Sequence, residues 1–343
     1  MPGPVMRRVS RQLSFWKLLA PCLLFCCLCL SLFRRQVVAS SSPLFRIRPF
    51  AVRDSDIFRS EFPKRKVLHL VRHGQALHNL ALSQGRSSGP ENHDARLTVI
   101  GAEQAEAVAE KVLELEAERA GRQGRAALAR EMLAGRGIPD SRIDLVLTSP
   151  LIRSVQTAVR GFAPLLAQNR ELVTFLPCVA IEELRELVSA SPHNSRRSRT
   201  ELELEFRGEV DFSNLANADG DTAWREGMLR ETHMACAQRA QSFLSRLFTA
   251  KEPYASAREI AVVSHSGFLY CLANFGYTVL NGAGGRGSFK GLRRVGPSHL
   301  QPVVSYGQRD FCAQARNVTS FEAWFRSWWA PGEMRSIVIE QVS

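Results

Sequence analysis

The stretch V-L-H-L-V-R-H-G-Q-A-L-H-N, residues 67–79, joins an apolar run to a polar turn. The apolar part is typical of a buried strand, and it stops at Arg72, His73 and Gly74. A strand followed by a glycine turn carries the next side chains to the carboxyl edge of a sheet, where open α/β sheets bind ligands. There a guanidinium can hold phosphate at two points, and an imidazole can act as a nucleophile near neutral pH. The stretch therefore predicts a ligand site with groups suited to phosphate.

A second stretch, E-I-A-V-V-S-H-S-G at residues 259–267, has the same design. It is again a strand-like apolar run, and its polar turn contains His265. Two strands that each end in a histidine, with glycine close behind, predict two imidazoles at one edge of one sheet.

Three further blocks lie between these two stretches. They are D-A-R-L-T at residues 94–98 followed by Gly101 and Gln104, S-P-L-I-R at residues 149–153 followed by Q-T-A at 156–158, and L-R-E at residues 184–186. They resemble the patterns D-x-x-L-T-x-x-G-x-x-Q, S-P-L-x-R-x-x-Q-T-A and L-x-E. Together with R-H-G and S-H-S-G, these ordered blocks resemble the histidine phosphatase superfamily, also called phosphoglycerate mutase-like.

The resemblance implies a fold and a set of roles. The fold is a three-layer α/β/α sandwich with a mostly parallel central sheet and the site at the strand carboxyl ends. Phosphoryl transfer needs a nucleophile, charge neutralisation around the phosphoryl oxygens and an acid for the leaving group. By resemblance, His73 would attack phosphorus and form a phosphohistidine, and Glu186 would protonate the leaving oxygen. The phosphate-binding residues would be Arg72, Asn79, Arg153, His265 and Ser266, and His265 also counts among the catalytic residues.

Alternatives exist for the acid and for a nearby basic run. Glu182 and Glu183 lie just before Glu186, and Glu183 is the next candidate for the acid. Asn79 is also compatible with a simple turn residue. The arginines that follow the acid segment favour either a solvated loop or a loop that binds a second anionic group of the substrate; they are Arg196, Arg197 and Arg199.

Four histidines of the two outer stretches raise the question of a metal site. They are His69, His73, His78 and His265. His69 and His73 would share one face of a strand but lie about 13 Å apart along it, too far to share one ion. We therefore expect no metal and no other cofactor, and we interpret His69 as a core or sheet-face residue.

The leading functional hypothesis is metal-free hydrolysis of a phosphorylated small molecule or phosphoprotein. The segment S-A-S-P-H at residues 189–193 lacks the Y-G or W-E-G continuation of the better-defined mutase and phosphatase branches, and the chain looks more like a diverse eukaryotic branch. A phosphoglycerate-type mutase is one alternative. It is disfavoured, because a mutase must retain and reorient a bisphosphate intermediate and no loop set for that is identified. A catalytically silent phosphate binder is another alternative, and a membrane-tethered interaction module is a third.

Charge is concentrated at the start of the chain. The 343 residues carry a net charge of +12, and residues 1–53 hold nine basic residues and no acidic ones. The rest of the chain therefore carries only +3, which argues against nucleic acid as a partner.

Residues 1–53 are predicted to be a targeting leader and residues 54–343 the catalytic domain. The segment 18–33 is almost continuously apolar, basic residues precede it, and V-V-A at residues 37–39 resembles a cleavage site. We expect a signal peptide or signal anchor, and so a membrane-associated or secretory protein. Residues 40–53 are rich in Ser and Arg, so a bipartite plastid address is the alternative. The sequon at Asn317 would matter only in the secretory pathway.

Periodicity and composition predict the remaining elements. Strands are expected at residues 142–149, 172–177 and 333–342, helices within 224–248 and at 268–275, and a helical extension at 114–136 broken at Gly121, Gly124 and Gly135. Thr98 is predicted to cap the helix that follows it. The aromatic residues Trp324, Phe325, Trp328 and Trp329 favour a packed lid or a patch that faces a membrane or partner. The body cysteines Cys178, Cys236, Cys271 and Cys312 lack C-x-x-C spacing and are expected to be small buried hydrophobes.

Overall fold

The structure is a computed structural model of the chain. It describes residues 45–51, 65–86, 89–133, 141–166, 177–216, 220–225, 228–249, 251, 253–274, 278–279 and 329–341. The apolar segment 18–33, the Asn317 sequon, Cys312, Trp324, Phe325 and Trp328 lie outside these residues. In the described part of the chain, no helix has both the length and the apolar character needed to cross a membrane.

A single sheet organises the fold. Its strands are β1 Phe45–Pro49, β2 Arg65–Arg72, β3 Leu145–Thr148, β4 Cys178–Ala180, β5 Glu259–Ser264, β6 Thr278–Val279 and β7 Met334–Gln341. Their order across the sheet is β4-β3-β5-β2-β7-β1-β6. Strand β7 runs antiparallel to its neighbours β1 and β2, and the other pairs are parallel. The predicted mostly parallel sheet is confirmed.

Helices cover both faces of the sheet. They are α1 Leu77–Ser83, α2 Val99–Leu133, α3 Ile152–Gly161, α4 Ala163–Leu166, α5 Arg199–Glu205, α6 His233–Leu247 and α7 Ser266–Asn274, with 3₁₀ turns at Pro90–Asn92, Glu182–Leu184 and Pro192–Asn194. Helix α2 is interrupted at Gly121, whose φ of 68° lies in the left-handed region that favours glycine. Gly124 lies inside the helix, so a break there is wrong, and Gly135 lies outside the described residues.

Alternating strand side chains divide the core into two layers. On one face, α6 and α7 share a cluster with strand residues Leu68, Leu70, Leu147, Ile260, Val262 and Ile337. On the other face, α2 and α3 share a cluster with Val71, Val146, Ala261 and Val263. This arrangement is the three-layer α/β/α sandwich that the resemblance implied. Cys178, Cys236 and Cys271 are buried free thiols, as expected.

Strand β1 changes the predicted start of the domain. Residues 45–49 pair with β7 on one side and with β6 on the other. Phe45 and Ile47 are buried in the core. The sheet therefore includes F-R-I-R-P at residues 45–49, which precede the predicted domain start at residue 54.

Other predicted elements are found with adjusted ends. The predicted strands at 142–149 and 333–342 correspond to β3 and β7. Thr98 caps α2, since its hydroxyl accepts a hydrogen bond from the Gly101 amide at 3.0 Å. The helix predicted within 224–248 begins only at His233, after Thr232, whose hydroxyl accepts from the Ala235 amide at 3.1 Å.

Candidate active site

His73 and His265 meet at the carboxyl edge of the sheet. Strands β2 and β5 are adjacent and parallel, with Arg72 in register with Ser264. The amide of His73 donates to the carbonyl oxygen of Ser264 at 2.9 Å. The two imidazole centroids lie 4.9 Å apart, and both rings are buried. The predicted juxtaposition of the two histidines is confirmed.

The hydrogen bonds of His73 assign its tautomer. Nδ1 lies 2.6 Å from the carbonyl oxygen of Gly74, and a carbonyl can only accept, so Nδ1 carries the proton. Nε2 then holds a lone pair, toward which the Arg153 Nε–H donates at 3.3 Å. Burial, with the positive charges of Arg153 and Arg72, holds the pKa of His73 well below its ordinary value of 6.5. At neutral pH the ring is therefore uncharged, with its lone pair on Nε2.

Close backbone packing fixes the turn after His73. A Cβ on Gly74 would overlap the carbonyl oxygen of Gly101, and a Cβ on Gly101 would overlap that of Gln75. The Gly74 amide donates to the Thr157 hydroxyl at 3.1 Å, and the Gln75 amide donates to the side-chain oxygen of Gln104 at 2.7 Å. The intermediate blocks of the sequence thus build the support of the R-H-G turn.

Arg153 joins His73 to the loop at residues 192–194. It projects from α3 and is fully buried. Its Nη1 donates to the carbonyl oxygen of His193 at 2.6 Å, and its Nη2 donates to Oδ1 of Asn194 at 3.3 Å. Burial lowers the pKa of Arg153 to about 10, so the guanidinium remains charged at neutral pH.

Arg72 is held by the turn that precedes β7. Its Nη1 donates to the carbonyl oxygen of Trp329 at 2.6 Å, and its amide donates to that of Glu333 at 3.0 Å. Its Nε is buried and has no hydrogen-bond partner among the described residues. Trp329 is fully buried, with the Arg335 guanidinium 4.0 Å from its ring centroid. This aromatic residue is packed, not an exposed patch.

His265 lies between two hydroxyl groups. Its Nε2 is 2.8 Å from Oγ of Ser149 and 3.2 Å from Oγ of Ser154. Its Nδ1 is buried and unpartnered within the described structure. Burial, followed by the charge of Arg153, holds its pKa well below the ordinary value. Ser266, the first residue of α7, is also buried beside it.

The two earlier glutamates of the acid segment have partners elsewhere. Glu182 Oε1 accepts from Nε of Arg196 at 2.8 Å, and its Oε2 accepts from Nη1 of Arg185 at 3.2 Å. The Glu183 carboxylate pairs with Arg246 at 2.8 Å. Both carboxylates are therefore occupied by structural ion pairs.

Glu186 lies at the site instead. Its Oε1 accepts from the Leu187 amide at 2.9 Å and lies so close to Gly267 that a Cβ there would overlap it. Its negative charge acts on both Arg72 and Arg153. Of the three glutamates, this one lies beside the residues that follow His265.

Asn79 and His78 form a unit at the start of α1. Oδ1 of Asn79 accepts from the Ala76 amide at 3.0 Å, so its Nδ2 is the group that donates to Nε2 of His78 at 2.9 Å. His78 Nδ1 therefore carries a proton, and it is buried without a partner in the described part of the chain. The His78 ring stacks on His193 with centroids 4.3 Å apart, and it lies 6.2 Å from His73. The sequence argument considered His78 only as a metal ligand, although its place beside Asn79 in the first stretch was a signal.

The arginines of the basic run after the acid segment have different surroundings. Arg196 is buried, and besides Glu182 it donates to the carbonyl oxygens of Arg197 at 2.9 Å and Ala216 at 2.8 Å. Arg199 pairs with Glu203 at the surface of α5 at 2.6 Å. Arg196 thus commits at least three of its N–H groups to the loop itself.

His69 belongs to the sheet and not to the site. Its ring is buried, with Nδ1 2.8 Å from Oγ of Ser336 and Nε2 2.7 Å from Oε1 of Glu259. The interpretation of His69 as a core residue is confirmed. Within the ranges that the structure describes, no three His, Cys, Asp or Glu side chains are grouped to hold a metal ion.

Comparison with known proteins shows what the chain is similar to. Residues 120–277 match the sequence model of the histidine phosphatase superfamily, branch 1. A phosphoglycerate mutase-like protein of Arabidopsis thaliana is 33% identical over 233 residues, which are 62% of this chain and 75% of the relative. Phosphoglycerate mutase-like protein 1 of the same plant is 30% identical over 230 residues, 61% of this chain and 71% of the relative.

Among solved structures, the ecdysone phosphate phosphatase of Bombyx mori is 14% identical to this chain, with a TM-score of 0.40. The match covers 69% of this chain and 85% of the phosphatase chain. The two plant relatives carry the assignment, since each is at least 30% identical and is matched over more than two thirds of its length. The chain belongs to the histidine phosphatase superfamily, among its phosphoglycerate mutase-like members.

Proposed function

We propose that the protein hydrolyses phosphomonoesters through a phosphohistidine formed on Nε2 of His73. The observation that carries the proposal is the state of that ring: it is neutral, its Nδ1–H is held by Gly74, and its Nε2 lone pair adjoins the Arg153 guanidinium. A histidine nucleophile needs its lone pair on the attacking nitrogen, and a cation beside it neutralises the phosphoryl oxygens.

In the first step, Nε2 of His73 forms a bond to phosphorus and the P–O ester bond breaks. The bonding electron pair goes to the leaving oxygen, which takes a proton from the Glu186 carboxyl group. The imidazole ring gains positive character, and the Gly74 carbonyl stabilises it through the Nδ1–H bond. Arg72, Arg153, His265 and Ser266 bind the phosphoryl oxygens, and the unpartnered Arg72 Nε is one donor available to them.

In the second step, a water molecule gives a proton to the Glu186 carboxylate and attacks phosphorus. The N–P bond breaks, its electron pair returns to Nε2, and orthophosphate leaves. Glu186 is then protonated and His73 neutral, as at the start. Glu186 is favoured over Glu182 and Glu183 because those two carboxylates are held in ion pairs with Arg196 and Arg246.

The charges near His73 favour hydrolysis over a mutase reaction. Arg72 and Arg153 supply two positive charges, which suit one dianionic phosphoryl group. Burial, with the charge of Arg153, lowers the pKa of the neighbouring His193 to about 4, so this ring is neutral at pH 7. A mutase must also hold a second phosphate, and the nearby Arg185 is already committed to Asp221 by two bonds of 2.7 and 2.6 Å.

The test is phosphate release by the full chain from p-nitrophenyl phosphate and a panel of natural phosphomonoesters. His73→Ala is expected to lower kcat/KM by at least about 10³-fold, while the exposed-histidine control His233→Ala keeps wild-type activity. An acid-labile phosphoenzyme should form in wild type and not in His73→Ala. Substantial residual activity in His73→Ala would refute the nucleophile assignment.

Two further outcomes would identify the alternatives. A folded wild type that orthophosphate stabilises against heat, yet that releases no phosphate from any ester, would be a silent binder. Interconversion of 3- and 2-phosphoglycerate would identify a mutase. EDTA is expected to leave phosphate release unchanged, and a loss that added metal restores would contradict the metal-free mechanism.

A further inference from the structure

Arg239 of α6 uses all five of its N–H groups on the acid segment and one carboxylate. Its Nη1 donates to the carbonyl oxygens of Glu183 at 2.8 Å and Arg185 at 2.7 Å. Its Nη2 donates to the carbonyl oxygen of Glu186 at 3.2 Å and to Oε2 of Glu231 at 2.6 Å. Its Nε donates to Oε1 of Glu231 at 3.1 Å. The guanidinium is therefore saturated and has no N–H left for a substrate.

The surroundings of Arg239 hold it in place. Its guanidinium lies 5.2 Å from the ring centroid of Phe268, a residue of α7. Glu231 is itself tied to the chain beyond the acid segment, because its amide donates to the Val188 carbonyl at 2.7 Å and its Oε2 accepts from the Val188 amide at 3.1 Å. Burial opposes the charge of Arg239, but the hydrogen bonds to Glu231 together with nearby negative charge, including that of Glu186, raise the pKa of Arg239.

The acid segment needs such external donors because it is irregular. The 3₁₀ turn ends at Leu184, and Arg185 has extended backbone angles, φ −62° and ψ 157°. The carbonyl groups of the acid segment therefore lack the regular hydrogen-bond partners of a helix or strand. A buried carbonyl group without a donor destabilises the fold. Arg239 serves three of these carbonyls, and the hydroxyl of Ser264, next to His265, donates to that of Leu184 at 2.7 Å.

The position of the Glu186 carboxyl depends on this backbone. The side chain has one hydrogen bond in the described structure, from the adjacent Leu187 amide, and a close contact with Gly267. A side chain with so few contacts of its own follows its main chain. A shift of the segment by about 1 Å would move the carboxyl out of reach of a leaving oxygen, and such displacements can cost about 10²-fold in rate.

We propose that Arg239 is a positioning residue for Glu186: it fixes the main chain at residues 183–186 so that the carboxyl meets the leaving oxygen. It does not contact substrate. This inference rests on the proposed function, since it assumes that Glu186 protonates the leaving group. If the inference is right, loss of Arg239 weakens proton donation to the leaving oxygen and leaves phosphate binding unchanged.

Leaving-group dependence provides the test. The substrates are an alkyl phosphate, whose leaving oxygen needs a proton, and 2,4-dinitrophenyl phosphate, whose leaving group departs without one. The quantity compared is kcat/KM, because it reports the phosphorylation step and excludes hydrolysis of the phosphoenzyme. Arg239→Lys is expected to lower kcat/KM by about 10²-fold for the alkyl ester and by less than about threefold for the dinitrophenyl ester.

Arg246→Lys is the matched control. Arg246 lies on the same helix and pairs with the side chain of Glu183 at 2.8 Å, but its own side chain is 36% exposed. A surface pair of this kind contributes little, so both kcat/KM values should stay within about twofold of wild type. If Arg239→Lys fails to fold, Glu231→Gln takes its place, since it keeps the guanidinium and weakens its hold. A smaller loss with the same selectivity is expected.

Failures of the two ideas give different results. An equal loss for both esters in Arg239→Lys, or a result no different from Arg246→Lys, overturns the positioning role while wild type remains active and His73→Ala inactive. If Glu231→Gln is used in place of Arg239→Lys, an equal loss of kcat/KM for both esters likewise overturns the positioning role. Activity that persists in His73→Ala, or a wild type without phosphate release, overturns the proposed function and the positioning role together.

Discussion

Nε of Arg153 lies 3.3 Å from Nε2 of His73, while Nδ1 of the same ring is held at 2.6 Å by the Gly74 carbonyl. The imidazole is thus fixed at both nitrogens by groups that cannot exchange roles, because a carbonyl only accepts and a guanidinium only donates. A phosphoryl group that bonds to Nε2 must take the place of the Arg153 N–H, and it then meets the lone pair next to a positive charge.

Arg153→Lys is expected to lower kcat/KM for phosphate release by about 10²–10³-fold. A lysine has one compact ammonium group, which cannot reach His73, His193 and Asn194 from one fixed fork. The control is Arg160→Lys, on the same helix, where the arginine pairs with Glu106 at the surface with 48% of its side chain exposed. Kinetics of both variants on one ester provide the comparison, and similar values for the two would contradict the role of Arg153.

Gly74→Ala is expected to destabilise the fold by about 1–3 kcal/mol and to lower activity. The new Cβ would overlap the Gly101 carbonyl, and relief of that overlap must move the turn that holds His73. Gly220→Ala is the control, because none of the described residues lies within 4 Å of a Cβ there. Urea unfolding of both variants measures the difference, and an unchanged midpoint for Gly74→Ala would rule out the tight packing described above.

Arg196→Ala is expected to lower the free energy of unfolding by about 3 kcal/mol. It removes one of the two buried arginine partners of Glu182, the other being Arg185, and takes away the side-chain donor of two carbonyl oxygens. Arg199→Ala removes only an exposed pair with Glu203 and should cost less than about 0.5 kcal/mol. Thermal unfolding distinguishes them. Equal small effects, together with weaker substrate binding in Arg196→Ala, would return Arg196 to the role of an anion-binding residue.

Stability is expected to fall as the pH drops below 6.5. His73, His78, His193 and His265 all have lowered pKa values in the fold, chiefly because burial disfavours the charged ring. Above pH 6.5 these rings are neutral in both states and contribute no pH dependence. Below it, the unfolded chain binds protons that the folded chain does not, and each such proton costs about 1.4 kcal/mol per pH unit.

Unfolding near pH 5.5 should therefore take up protons, at most four from these rings. The raised pKa values of Asp94, Glu116 and Asp144, which burial causes, work in the opposite direction and reduce the net uptake. Urea unfolding at pH 7.5, 6.5, 5.5 and 5.0 gives the slope. His193→Asn should reduce the proton uptake on unfolding by up to one proton, and a slope that this substitution leaves unchanged would show that the His193 ring is charged in the fold.

Several features of the site were predictable from sequence because they follow from strand ends. His73 and His265 each come directly after an apolar run, and parallel strands bring such positions to one edge. Arg153 was named through a motif that lies at the start of a helix. These residues need only the correct strand order to meet.

Other features were not predictable in this way. Arg239 lies at the edge of the apolar stripe of α6, and that pattern does not distinguish an arginine that reaches solvent from one that reaches carbonyl groups. Arg196 was expected either in a solvated loop or in a loop that binds a second anionic group. Strand β1 was assigned to the leader because its arginines were counted as part of a basic segment. In each case at least one partner lies in another element of the fold, so the periodicity of a single segment does not record it.

The sequence by itself determined the chemical groups of the site and the sheet edge at which they lie, because apolar periodicity records which faces are buried and motif spacing records where the strands end. The tertiary structure alone decided which nitrogen of His73 carries its proton, which of three glutamates lies beside Gly267, and which arginines are already paired. Those outcomes depend on hydrogen bonds between loops and long polar side chains, whose partners are set only when distant segments pack together.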